Sequence, residues 1–261
     1  MKLLHWSAAP LDVTPIQRRN FINVQVDAIG IGLASAAAPF LPVFLTRLGA
    51  TNHQVGLLSS MPALAGLIMS IFVGRFLQNQ RNIVPWFSAA RLLVVSSYAL
   101  IGLVTFIVPA QYLVRVILLI WALATLPQTV VYVSFSVVMN AVAGANHRYE
   151  LMSRRWSILG LTMAITVAIV GLILERLDFP LNYQVVFIAL SGGGFISYYF
   201  SSHIELPDVE VSHAKGNISL VERAKDYTQL ILSERDFLRF LIQRFVFQLG
   251  IALSLPIFPQ Y

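Results

Sequence analysis

One acidic residue stands well inside a run of apolar sequence long enough to cross a bilayer: Asp27, with Asn23 one helical turn before it. A charge in hydrocarbon costs at least about 2.5–3.5 kcal/mol on insertion scales, so such residues are usually paired or functional. Asp27 is therefore a candidate to bind a coupling proton or a cationic group of a solute. It is equally a candidate for a structural ion pair with Arg91, which lies inside the third apolar run. Counted from the ends of their runs, the two sit about 9 Å and about 12 Å deep at about 1.5 Å per residue. Arg244, in the last apolar run, can recognise an anionic solute, pair with Asp27 or snorkel to the interface. Gln248 stands one turn beyond it. In the fourth run Gln128, Tyr132, Ser136 and Asn140 recur every four residues after Pro127. Such a stripe faces protein or water rather than lipid, either as a solute-binding surface or as glue between helices.

Other chemistries lack their residues. All five histidines, at 5, 53, 147, 203 and 213, fall outside the apolar runs or at their very ends, and there is no cysteine. That removes the usual intramembrane haem, zinc and general-base candidates and any thiolate chemistry, so no cofactor or metal is expected. No phosphate-binding glycine loop, His-Glu-x-x-His or Gly-x-Ser-x-Gly pattern occurs. An enzyme needs a nucleophile and base, or metal ligands, converging on one reacting atom. One buried carboxylate is a poor start, and a non-enzyme is expected. The alternatives are a membrane-embedded lipid-modifying enzyme and a non-transporting membrane scaffold or receptor.

The elements that must position these groups follow from composition. Of 261 residues, 57% are hydrophobic and only 11% charged, against about 25% charged in soluble domains. A span needs about 20 apolar residues. Six runs meet that length: Phe21–Thr46, Val55–Leu77, Ile83–Val108, Tyr112–Asn140, Trp156–Leu174 and Tyr183–Ser202, with a seventh beginning near Phe237. The expected organisation is an N-terminal tail over 1–20, a six-helix bundle over 21–202, a linker over 203–236 and an incomplete seventh helix over 237–261. The connections within the bundle are short, among them Ala141–Arg155, and force antiparallel neighbours. In the linker, Ser219 with Glu222 has capping-box spacing, and Leu220, Val221, Ala224, Tyr227 and Ile231 predict a short amphipathic helix. Ser233 with Asp236 has the same spacing before the seventh run.

Charge sets the orientation. With the N-terminus inside, thirteen Lys and Arg residues flank the inner ends, Arg148, Arg154 and Arg155 among them, against Arg47, Arg115 and Arg176 outside. Positive residues concentrate on the cytoplasmic side, so the N-terminus and linker are expected there. The net charge of +6 reflects topology and anionic lipid rather than nucleic acid, whose binders gather their basic residues on one aqueous face.

A repeat completes the picture. Pro39-Phe40-Leu41-Pro42-Val43-Phe44 in the first span returns 217 residues later as Pro256-Ile257-Phe258-Pro259-Gln260-Tyr261, an offset that also lays Asp27 on Arg244. A second six-helix unit is expected to start there, related to the first by an axis along the membrane normal. The chain reads as a truncated gene product that would not transport alone.

With Leu48-Gly49-Ala50-Thr51 and Val55-Gly56-Leu57-Leu58 after the first span, and Gly74-Arg75-Phe76-Leu77-Gln78-Asn79-Gln80-Arg81 between the second and third, the sequence resembles the major facilitator superfamily of secondary transporters. The resemblance covers the whole chain as an N-terminal half, central linker and start of a C-terminal half. That family keeps Gly-x-Leu-Ala-Asp-Arg-x-Gly-Arg between these spans; Gly74 matches, while Gln78, Asn79, Arg81 and Asn82 depart. No Gly-Pro pair falls within Gly160–Gly171, which takes weight from proton-coupled drug antiport. The resemblance implies an all-α membrane fold and secondary active transport of a small solute by alternating access. It implies a plasma or inner cell membrane location. It makes Asp27 and Asn23 part of a cavity-lining first helix and Gly74, Arg75 and Arg81 part of a gating loop. The implied partners are the bilayer, a small-molecule substrate with or without a coupling proton or ion, and the missing C-terminal helix bundle; no nucleic acid is among them.

Overall fold

The computed structural model describes residues 9–10, 12–206 and 233–254. All regular structure among them is helical, and six helical segments are long and apolar enough to cross a membrane. The chain is an all-α, multi-pass membrane protein by length and composition. The expected linker helix at 219–231 and the Pro256–Pro259 repeat lie outside the described residues. Two compact units divide the chain, Met1–Val211 and Ser212–Tyr261.

In the first unit, α1 (Pro15–Ser35) opens with a proline whose fixed φ suits the first helical position, and Thr14 Oγ1 accepts the Gln17 N–H at 3.3 Å. The first span is not one continuous helix. Four turn residues, 36–39, separate α1 from α2 (Phe40–Arg47). Pro39 and Pro42 have no N–H to give the carbonyls of Ser35 and Ala38. The chain tightens instead, with Ala38 donating to Ser35 O at 3.1 Å and Phe40 to Ala37 O at 3.2 Å. There follow α3 (Asn52–Gln78), entered through a Thr51–Gln54 capping box, α4 (Val84–Val104), α5 (Ala110–Ala143), α6 (Arg148–Arg176) and α7 (Leu181–Ser202). Pro62 and Pro127 lie inside α3 and α5, which continue through them.

The connection expected at Ala141–Arg155 is mostly helix. α5 runs to Ala143, Gly144 turns the chain at φ +66°, and α6 starts at Arg148. The first turns of α6 carry a Glu150–Arg154 pair at 2.6 Å, four residues apart and so on one helix face. Arg155 is thus a helical residue rather than part of a loop.

α1 packs against α6 and α7, α4 against α5 and α7, and α3 against α5. Call proximal the end at which α1, α4 and α6 begin and α5 and α7 finish. There Gln17 Nε2 donates to Ala143 O at 3.0 Å, Asn20 Nδ2 to Glu205 O at 2.7 Å and Asn23 Nδ2 to His203 O at 2.8 Å. Arg19 pairs with Glu205. These bonds tie the start of α1 to the ends of α5 and α7 and confirm the antiparallel alternation.

Two apolar clusters fill the unit. The proximal one contains Phe21, Val24, Val84, Phe87, Val138, Met139, Leu151 and Ile204. The distal one contains Leu41, Phe44, Tyr98, Ile101, Ile117, Val170, Tyr183 and Phe187, with Phe44 stacked on Tyr183 at 5.0 Å between ring centroids.

The second unit contains α8 (Arg235–Ser254), with Asp236 in its first turn 4.0 Å from Arg239. It starts close to the expected seventh run but is not one of the six segments apolar enough to span.

Candidate functional site

Between the two apolar clusters, the buried polar and charged residues of α1, α4, α6 and α7 include Asp27, Arg91, Arg155 and Ser197. They meet. Arg91 Nη1 donates to Asp27 Oδ1, and Ser197 Oγ donates to the same oxygen at 2.6 Å. Arg155 Nη2 lies 3.8 Å from the other oxygen, Oδ2. Side-chain exposures of 0% for Asp27, 4% for Arg91 and 3% for Arg155 put all three charges inside the bundle. Aromatic faces cover the cations: Arg91 stands 4.2 Å from the Phe87 ring centroid, and Arg155 stands 4.7 Å from that of Phe135 and 5.3 Å from that of Trp156. A desolvated cation over a ring gains about 2 kcal/mol, which offsets part of its burial.

Backbone geometry makes the layer possible. A Cβ on Gly30 would stand 2.6 Å from both Gly193 O and Ser197 N, and one on Gly193 would stand 2.5 Å from Gly30 O. With no side chain between them, α1 and α7 approach until Ser197 reaches the carboxylate. On the α6 side, Gly32 plays the same part against Leu159 and Thr162. Small residues of this kind are how membrane helices pack closely.

The sequence candidates separate into four places. Asp27 and Asn23 share one face of α1, and α7 covers that face, so both are buried rather than lining an open cavity. Of the two roles open to Asp27, the structure displays the ion pair with Arg91. The α5 stripe lies elsewhere: Gln128 Nε2 donates to Tyr132 Oη at 3.2 Å, Tyr132 is 68% exposed, and Ser136 and Asn140 are exposed. Gly74 and Arg75 occupy the last turns of α3 and Arg81 the connection to α4. Neither arginine meets a carboxylate among the described residues; the neighbouring contact is Trp86 Nε1 donating to Gln80 Oε1 at 3.2 Å. Arg244 and Gln248 lie one turn apart on α8 and belong to the second unit.

Sequence reasoning missed Arg155 and Ser197. The sequence alone groups Arg155 with Arg148 and Arg154 as a topology determinant, because its apolar run begins only at Trp156. Once α6 starts at Arg148, Leu151, Arg155, Thr162, Thr166 and Val170 fall on one stripe at helical spacing. That stripe was the available signal. Ser197 sits one turn from Gly193 and one turn from Ser201, in a run of small residues that by itself speaks only of close packing.

A cleft of about 650 Å³ opens at the proximal end beside Thr14, Gln17, Asn20, Val142 and Glu205. Its walls are the bonds that clasp the helix ends. No family model, no curated protein and no solved structure matches this chain.

Proposed function

We propose that this chain is one six-helix bundle of a secondary transporter of the major facilitator type, in which the polar face of α5 borders the path of a small solute. The observation that carries this reading is the stripe of half-buried Gln128 and exposed Tyr132, Ser136 and Asn140 in a helix long and apolar enough to span. Leu119, Leu123 and Leu126, also exposed, lie about 120–180° around the same helix from Gln128 and Tyr132 at about 100° per residue. One side of α5 is thus fit for lipid and another for water or a solute. The buried charged layer supports the same reading, because alternating access by rocking needs bundles that move as rigid bodies. On this reading Asp27 is structural, and solute contacts fall to Gln128 and Tyr132. On the same reading α8, which carries Arg244 and Gln248, belongs to a second bundle. Gly74, Arg75 and Arg81 stand where a gating loop would act.

Because the chain has no cysteine, single cysteines test this directly. In membrane vesicles, Tyr132→Cys and Ser136→Cys are expected to react with a water-soluble thiol reagent, while Leu119→Cys and Leu123→Cys stay protected by hydrocarbon. A transported solute is expected to slow the reaction at Tyr132→Cys. Equal protection of all four positions would remove the solute path from α5.

We infer a cytoplasmic N-terminus from the basic count and a plasma or inner membrane from the resemblance. In intact cells an impermeant reagent is expected to label Asp178→Cys, in the connection from α6 to α7, and to spare Asn146→Cys, in the turn from α5 to α6; the reverse result inverts the orientation.

A further inference from the structure

The buried layer holds two guanidiniums against one carboxylate. Oδ1 of Asp27 is taken by Arg91 and Ser197. Arg155 faces Oδ2 at 3.8 Å, beyond hydrogen-bond reach. Among the described residues no acceptor hydrogen-bonds Arg155, and its Nε is buried and unpartnered, as are Asp27 Oδ2 and Arg91 Nε. Among the described residues no other carboxylate pairs with the two arginines. α3, α4, α5 and α7 carry no Asp or Glu, Asp27 is the one acid of α1, and of the two acids of α6 Glu150 is engaged by Arg154 and His147 and Glu175 stands at the far end of the helix. An arginine keeps its charge, so the layer carries one surplus positive charge inside the bundle, and a buried charge without a partner is strongly unfavourable.

We propose that Arg155 binds a small monovalent anion, which completes the charge balance of the layer. The ligand is a singly charged acceptor, either a halide or the carboxylate of a small organic acid. A dianion would replace one surplus positive charge with one surplus negative charge and gain nothing. The proximal end is the nearer one: Arg155 lies seven residues into α6, about 10 Å at about 1.5 Å per residue. Phe135 and Trp156 flank the guanidinium and leave its in-plane N–H groups to an acceptor. The site stands whether or not the chain transports.

Trp156 is a built-in reporter, because its ring centroid is 5.3 Å from the guanidinium carbon of Arg155 and bromide quenches indole fluorescence on contact. The full chain in detergent is titrated with sodium bromide against sodium sulfate at constant ionic strength. The expected result is a saturable component of quenching that disappears in Trp156→Phe and in Arg155→Gln and persists, weaker, in Arg155→Lys. Chloride is expected to relieve it and sulfate not; relief by acetate as well assigns the site to carboxylates in addition to halides. The unfolding midpoint is expected to rise by about 2–4 °C in saturating chloride and to stay flat in Arg155→Gln. If Arg155→Gln does not fold, the wild-type titration compared with Trp156→Phe still decides. Quenching that is linear in bromide and unchanged in Trp156→Phe apart from its amplitude, or a midpoint raised equally by sulfate, overturns the proposal.

Discussion

Asp27→Asn is expected to remove most of the folded chain from the membrane, the largest loss of any single side chain in the bundle. The substitution keeps volume and some hydrogen bonding but leaves Arg91 and Arg155 together in the interior with no negative charge. Breaking a buried pair by removing one partner costs about 3–5 kcal/mol in soluble proteins, and here two cations are stranded. The layer orders three variants by the charge each leaves behind. Asp27→Asn leaves two surplus positive charges. Arg91→Gln leaves none but gives up the hydrogen bond to Oδ1 and keeps only the 3.8 Å approach of Arg155. Arg155→Gln leaves the hydrogen-bonded Asp27–Arg91 pair intact and is expected to be the mildest. The yield of monodisperse chain after detergent extraction, with the unfolding midpoint, reads this order. Adding Arg91→Gln to Asp27→Asn returns the layer to its original surplus of one and is expected to restore part of the yield. Wild-type yield and midpoint in Asp27→Asn would show that the layer does not hold the bundle together.

The second large effect is steric and is confined to particular glycines within one short run. Gly193→Ala places a methyl group 2.5 Å from Gly30 O and 2.9 Å from Leu33 Cβ. The nearer neighbour is backbone and cannot rotate away, so α1 and α7 must separate. Overpacking costs about 1–3 kcal/mol where side chains can shift, and the upper end or beyond is expected here because Ser197 is drawn off Asp27 at the same time. Gly30→Ala meets the same obstacle from the other side. Gly192, the preceding residue, has open space at its Cβ position, so Gly192→Ala is expected to be neutral or to gain up to about 1 kcal/mol in helix propensity. Unfolding midpoints of the pair Gly192→Ala and Gly193→Ala give the measurement. Equal midpoints would mean that the α1–α7 contact is looser than the backbone geometry shows.

Membrane class and the approximate positions of six spans were legible in the sequence, because each depends on a local property: the number of consecutive apolar residues needed to cross hydrocarbon. Asp27 and Arg91 stood out for the same reason, as isolated charges in runs otherwise free of them. Three things were decided only by the tertiary structure. The first is where the helices start and stop. Pro39 and Pro42 break the first span into α1 and α2, and residues 148–155 join α6 although their polarity reads as loop. The second follows from it. Three arginines near one interface look alike in sequence, and only helix phase turns Arg155 inward while Arg154 turns to Glu150. The third is which polar face is covered. Asn23 with Asp27 on α1 and Gln128 with Tyr132 on α5 are equivalent as patterns, each a polar stripe at helical spacing. The absence of side chains at Gly30 and Gly193 lets α7 close over the first, while no helix of the described bundle closes over the second. Periodicity tells which residues share a face; the neighbour that meets the face is set by long-range packing, which no local pattern records.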